Sequence, residues 1–272
     1  MISSEKLNKF INEDAPRIEG WFYPFDMFSF ALVDHVQEVL GIEGGICEVG
    51  VYKGKSLVLL SHLIRGDERL FGFDLFPDRL REEAQSTLTA FGTPCSAELV
   101  MSDTSSITRE ALAAKFGQGL RFLHIDAGHE YHEVLHQMVV FSPFVKEGGC
   151  LVMDDYQDRE FPGIEAAVLD FCEIDRPRRF VPFFSGGNKM YLCERHMSAR
   201  YQRIFLDFDA IRNQSRISRV RDFDVLIGLS KLPSAPEKLL KRVEAGQFPY
   251  FYDKDEVTLA KNAFAFDQLK SM

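Results

Sequence analysis

From Gly45 onward, short apolar runs alternate with amphipathic stretches. The strand-like runs are Ile46–Val49, Arg69–Phe73, Glu98–Met101, Arg121–Ile125 and Cys150–Met153. Between them lie Ser56–Ile64, Leu80–Phe91, Thr104–Phe116 and Tyr131–Phe144, each long enough for a helix and each with one apolar face. Strands alternating with helices of this length predict right-handed crossovers and a mostly parallel sheet covered on both faces, an α/β fold. A further helix is expected over Ile164–Cys172, then two late strands at Phe180–Phe184 and Met190–Cys193. Ser185-Gly186-Gly187-Asn188 between those strands is a hairpin signal. Residues 1–44 read as an N-terminal cap, with the aromatic stretch Trp21–Phe25 and a helix through Leu40. Residues 45–194 form the core, and residues 195–272 a polar and aromatic extension with a breaker-rich stretch at Leu232–Pro236.

Composition narrows the function classes. Hydrophobic residues make up 46% and charged residues 27% of the 272, as in a globular protein with a real core. The net charge of −9 argues against nonspecific nucleic-acid binding, which is mostly phosphate neutralisation. Arg212, Arg216, Arg219 and Arg221 form a local basic run; if helical, the first three share a face, and a solvated basic stripe is the plain reading. The five cysteines, Cys47, Cys95, Cys150, Cys172 and Cys193, show no metal-finger spacing and suggest reduced thiols. The N-terminus has no apolar signal core, and no run approaches the roughly 20 apolar residues that cross a bilayer. A soluble, cytoplasmic protein with no membrane partner is expected, and self-association into a homo-oligomer is left open.

The segment Glu48-Val49-Gly50-Val51-Tyr52-Lys53-Gly54-Lys55-Ser56 follows a strand and opens a helix. Glycine there lets backbone approach a ligand, and the helix start offers free N–H groups. The spacing lacks the Gly-x-Gly-x-x-Gly fingerprint of a dinucleotide site, which disfavours a nicotinamide-dependent oxidoreductase. A phosphate-gripping loop would need glycine at position 49, which is Val49. Glu48 at the strand end suits a ligand carrying an amino group, and Asp74 at the end of the second strand suits ribose hydroxyls. The pair fits an adenosyl amino acid. Ser102-Asp103-Thr104 after the third strand can meet an adenine edge, or Asp103 or Thr104 can cap the next helix.

Asp126 closes the fourth strand and Asp154-Asp155 the fifth, so three carboxylates converge on the edge where open α/β sheets bind ligands. Close carboxylates repel unless a cation joins them, and a hard divalent ion such as Mg²⁺ is the natural partner. His129 overhangs the same edge as a candidate general base. His132-Glu133-Val134-Leu135-His136 matches the zinc-protease pattern, with Glu160 as a third ligand in that reading, but it lies in a crossover helix whose Val134, Met138 and Phe141 must pack on the sheet. Tyr52, Tyr156 and the Trp21–Phe25 stretch are candidates to wall a pocket, core packing being the commoner role for aromatics.

Together, Glu48–Ser56, the strand ending at Asp74, His124-Ile125-Asp126-Ala127-Gly128-His129-Glu130-Tyr131 and Gly148-Gly149-Cys150-Leu151-Val152-Met153-Asp154-Asp155-Tyr156 resemble sugar-methylating O-methyltransferases of the macrocin and mycinamicin type, over roughly residues 20–194. Cephalosporin-hydroxylase-like proteins belong to the same wider family. The resemblance implies a Rossmann-like, doubly wound, seven-stranded sheet whose last strand is antiparallel. It implies S-adenosylmethionine as cofactor, with Glu48 and Gly50 at its methionine end, Tyr52 and Ser56 in the same loop, Asp74 at the ribose, Ser102 and Asp103 by the adenine, and Asp126 beside it. It further implies Asp126, Asp154 and Asp155 as ligands of Mg²⁺ or another divalent cation, and His129 as the base that frees a hydroxyl of a small-molecule acceptor. Relatives often carry Glu where this chain has Asp154. An accessory protein that binds the cofactor without methyl transfer would carry the same residues.

Overall fold

The computed structural model describes residues 2–174, 179–213 and 215–228; the Leu232–Pro236 stretch lies outside them. Five strands, β1 (Gly45–Val49), β2 (Arg69–Asp74), β3 (Ser96–Met101), β4 (Leu120–Ile125) and β5 (Val145–Met153), run parallel. Strands β6 (Phe180–Gly186) and β7 (Lys189–Glu194) form the expected hairpin across a two-residue turn, and β7 lies antiparallel between β5 and β6. Two further strands, β8 (Ser215–Val220) and β9 (Phe223–Gly228), extend the edge, giving the order β3-β2-β1-β4-β5-β7-β6-β9-β8. The seven expected strands are present, but among the described residues the sheet has nine.

Alternation along the central strands sorts the core into two layers. Ile46, Phe122, Cys150, Val152, Tyr191 and Cys193 face α2 (Pro24–Val39), α3 (Lys55–Leu63) and α8 (Arg195–Leu206). Their neighbours Cys47, Val49, Leu123, Ile125, Leu151 and Met153 face α6 (Tyr131–Phe141) and α7 (Pro162–Ile174). Val134, Met138 and Phe141 of α6 are fully buried against that second face. The N-terminal segment, with α1 (Ser4–Lys9), adds Leu7, Phe10 and Ile11 to the first layer.

Two expectations about local structure are corrected. The helix expected over Thr104–Phe116 shrinks to α5 (Arg109–Ala113), capped by Thr108. Asp103 Oδ1 accepts from the N–H and the hydroxyl of Ser105, and this local turn competes with helix from position 104. Asp103 and Thr104 therefore do not cap α5. The basic run is not helical beyond Arg212, which ends α9 (Asp209–Arg212); Arg216 and Arg219 are exposed on β8. None of the five cysteines is in a disulfide, four of them are buried, and no helix among the described residues is long and apolar enough to cross a membrane.

Beneath the sheet, Arg121 is fully buried and joins three elements. Its guanidinium bonds both oxygens of Glu68 (2.8 and 3.0 Å), Gln37 Oε1 (2.7 Å) and the Leu63 carbonyl (2.6 Å). Asp34 Oδ1 lies 3.0 Å from Nη1, an ion pair in distance but not aligned as a hydrogen bond.

Candidate active site

The chain runs from β1 outward to β2 and β3, then returns to β4 on the other side of β1. Diverging connections open a crevice at the carboxyl ends of β1 and β4, the place where open α/β sheets take ligands. The strand ends there continue the parallel ladder: Asp126 N–H donates to the Val49 carbonyl (2.7 Å), Asp154 N–H to Ile125 (3.0 Å), Gly50 N–H to Phe73 (2.7 Å) and Ser102 N–H to Asp74 (2.9 Å). Four chain segments thus leave the sheet side by side. Gly50 has φ +91° and a Cβ there would lie 1.7 Å from the Asp126 carbonyl oxygen, so no other residue fits.

The resulting cavity, about 740 Å³, includes Gly50, Tyr52, Ser56, Asp74, Asp103 and Asp126 on the loop side. On the other side stand His129, Asp154, Asp155, Phe161 and Asn188, and the mouth is framed by Glu19, Trp21 and Tyr23. Trp21 is 77% exposed with its ring 6.0 Å from that of Tyr52. Phe22 and Phe25 of the same stretch are buried, as is Tyr156, which packs in the second layer.

Glu48 and Ser102 are not part of the cavity wall. Glu48 is fully buried on the α2 side of the sheet, its Oε1 2.9 Å from His124 Nδ1. Asp74 fastens the glycine loop: Oδ2 accepts the N–H groups of Val51 (2.7 Å) and Tyr52 (2.9 Å), and Oδ1 that of Phe76 (2.9 Å). Tyr52 has φ 48°, a left-handed conformation that the clamp holds in place. At the same end Gln137, nearly fully buried, donates to Thr104 Oγ1 (2.9 Å) while its Oε1 has no partner among the described residues.

Electrostatics divide the carboxylates. Asp154 is buried and doubly engaged: Oδ1 accepts the Asp155 N–H (2.7 Å), and Oδ2 lies 2.5 Å from the Lys189 ammonium and 3.6 Å from His124 Nε2. Burial alone would raise its pKa, but Lys189 and His124 outweigh that and hold it well below the usual carboxylate range. Burial would likewise lower His124, yet Asp154 and Glu48 hold it up at about 9. Asp126 is pushed well above the usual range by burial and by the charge of Asp154. Asp26 on α2, fully buried, is raised to about 7 by burial.

Asp155 has φ 49° and turns away from this buried group. Its Oδ1 accepts from Asn188 Nδ2 (2.8 Å), and Oδ2 lies 3.2 Å from His129 Nε2. His129 stacks on Phe161 at 4.1 Å between centroids, and its bond to Asp155 raises its pKa. Ligand atoms from Asp126, His129 and Asp155 all lie within 4.8 Å of one another, as do those of His124, Asp126 and Asp154, where Lys189 already lies 2.5 Å from Asp154 Oδ2. The zinc pattern on α6 does not assemble: His132 is exposed, His136 Nε2 bonds the Ile107 carbonyl (3.0 Å), and neither joins a cluster of ligand atoms among the described residues.

Residues 47–156 match the family model of a methyltransferase domain. The sheet order and the cavity at its switch point are those of a Rossmann-like α/β fold. Among solved structures it is similar to the O-methyltransferase NovP (17% identity, 70% of this chain, 97% of that chain, TM-score 0.52). It is also similar to an O-methyltransferase from Bacillus cereus in complex with SAH (12%, 70% and 91%, TM-score 0.50). A third likeness is to a putative O-methyltransferase from Klebsiella pneumoniae (12%, 70% and 89%, TM-score 0.50). At these identities the likeness is one of fold. No curated protein matches the chain.

Lys189, His124, Asp26 and Asn188 escape a reading that looks for acids at strand ends. One signal was available: Lys189 and His124 are charged or titratable residues inside otherwise apolar strands, positions that must be paired when buried.

Proposed function

We propose that the chain transfers the methyl group of S-adenosylmethionine to a hydroxyl of a small molecule, of sugar or secondary-metabolite type, in the cytoplasm. The observation that carries this reading is the His129–Asp155 pair, lining the same cavity as the glycine loop at the switch point. The loop at Gly50–Ser56 takes the amino-acid end of the donor, with Glu48 setting the charge beneath it. Asp74 holds the loop closed and keeps lone pairs for ribose hydroxyls. The free Oε1 of Gln137 suits the amino group of an adenine, beside Asp103 and the Ser102 turn.

In this reading Asp155 accepts the Nε2 proton of His129 and fixes the ring, leaving Nδ1, which has no partner among the described residues, to take the acceptor's hydroxyl proton. Phe161 supports the ring from one side. Asp126 and Asp155 would hold Mg²⁺ or another divalent cation, which supplies a charge that lowers the pKa of a bound hydroxyl. Holding nucleophile and methyl donor in line supplies much of the remaining acceleration.

The test is methyl transfer from labelled S-adenosylmethionine to a panel of sugars, glycosides and polyphenols, read by mass spectrometry with and without chelator. Product mass should rise by one methyl on oxygen, and chelator should slow the reaction. Cofactor binding with no product from any acceptor would favour the accessory-protein reading.

A further inference from the structure

We propose that the Lys189 ammonium takes, on Asp154, the position a divalent cation would hold, and so confines any such ion to the Asp126, His129 and Asp155 side of the site. This rests on the reading above that those carboxylates meet a cation.

Lys189 opens β7 immediately after the Gly187-Asn188 turn, and is only 1% exposed. Its Nζ is 2.5 Å from Asp154 Oδ2 and 5.6 Å from the centre of the Phe22 ring, so it is fixed from both sides. A long, flexible side chain is buried with its charge only where a partner offsets the loss of hydration. Asp154 is that partner, and the bond occupies its Oδ2. Its other oxygen is held by the Asp155 N–H at 2.7 Å.

Two consequences follow from charge. The buried Asp154 is already neutralised, so the floor of the site keeps its shape without a metal. An ion placed within coordination distance of Asp154, about 2.0–2.1 Å for Mg²⁺, would also face the ammonium, and like charges in a poorly hydrated setting repel strongly. What remains are the carboxylates of Asp126 and Asp155 beside His129, a more open group with the His129 side chain 40% and that of Asp155 21% exposed.

The experiment is a Mn²⁺ titration of the full chain, reading free ion by electron paramagnetic resonance. It compares wild type with Asp155→Asn, Asp154→Asn and Lys189→Met, and the same samples are titrated with S-adenosylhomocysteine. Asp155→Asn should weaken Mn²⁺ binding by about a hundredfold, as the loss of a ligand carboxylate, while Asp154→Asn should weaken it by about tenfold at most, since it removes a neighbouring charge but no ligand. Lys189→Met should tighten binding by about tenfold or more, because it frees Asp154 Oδ2 and removes the competing charge. Equal losses in the two aspartate variants would overturn the proposal, as would a folded Lys189→Met chain that binds Mn²⁺ no better than wild type. If Lys189→Met does not fold, the contrast between the aspartate variants decides. Failure of the methyltransferase reading has a separate signature: wild type that ignores S-adenosylhomocysteine, whatever its Mn²⁺ pattern.

Discussion

Arg121→Met is expected to remove about 3–5 kcal/mol of stability, the range for breaking a buried ion pair by deleting one partner. The methionine fills much of the volume, so the loss is electrostatic. Glu68 would keep a buried carboxylate without its two-pronged partner, and Gln37 and the Leu63 carbonyl would each lose a donor. Asp34, fully buried, would retain only Arg65 at 3.6 Å. Arg121→Lys should recover little, since one ammonium cannot reach all of these acceptors. Urea denaturation followed by circular dichroism measures the effect; a loss below about 1 kcal/mol, the value of an exposed pair, would show that the network is not the keystone between α2 and the sheet.

His129→Ala is expected to slow methyl transfer by about 10²–10⁴-fold, the usual contribution of a positioned general base. Affinity for S-adenosylhomocysteine should stay within about twofold, because the ring is held by Asp155 and Phe161 rather than by the glycine loop or Asp74. Steady-state rates on any acceptor from the panel, paired with calorimetry, separate the two effects. Undiminished turnover would remove His129 from the chemistry, whereas lost cofactor binding would make it a wall of the donor pocket.

The parallel core was legible because β1, β2, β4 and β5 are buried on both faces over most of their length and so read as largely apolar runs with polar ends. Those endings marked Asp74, Asp126 and Asp154-Asp155, and topology alone brought them to one edge. Strands β8 and β9 were not recognised, since arginines spaced along 212–221 suit an exposed strand as well as a helix face. Helix α5 was overestimated because apolar spacing cannot register a side-chain turn at Asp103. The division of labour between Asp154 and Asp155 was also hidden. Adjacent acids look alike in sequence, but one turns inward to Lys189 and the other, through a left-handed backbone, outward to His129. That difference depends on Lys189, 35 residues beyond Asp154, a contact that local pattern does not encode.

The central claim, that the cavity at the switch point binds an adenosyl amino acid, is tested most directly by calorimetric titration of the full chain with S-adenosylhomocysteine, with NAD as control. The account predicts one-site, micromolar binding of the first and no heat from the second. Binding of NAD, or of neither, would contradict it.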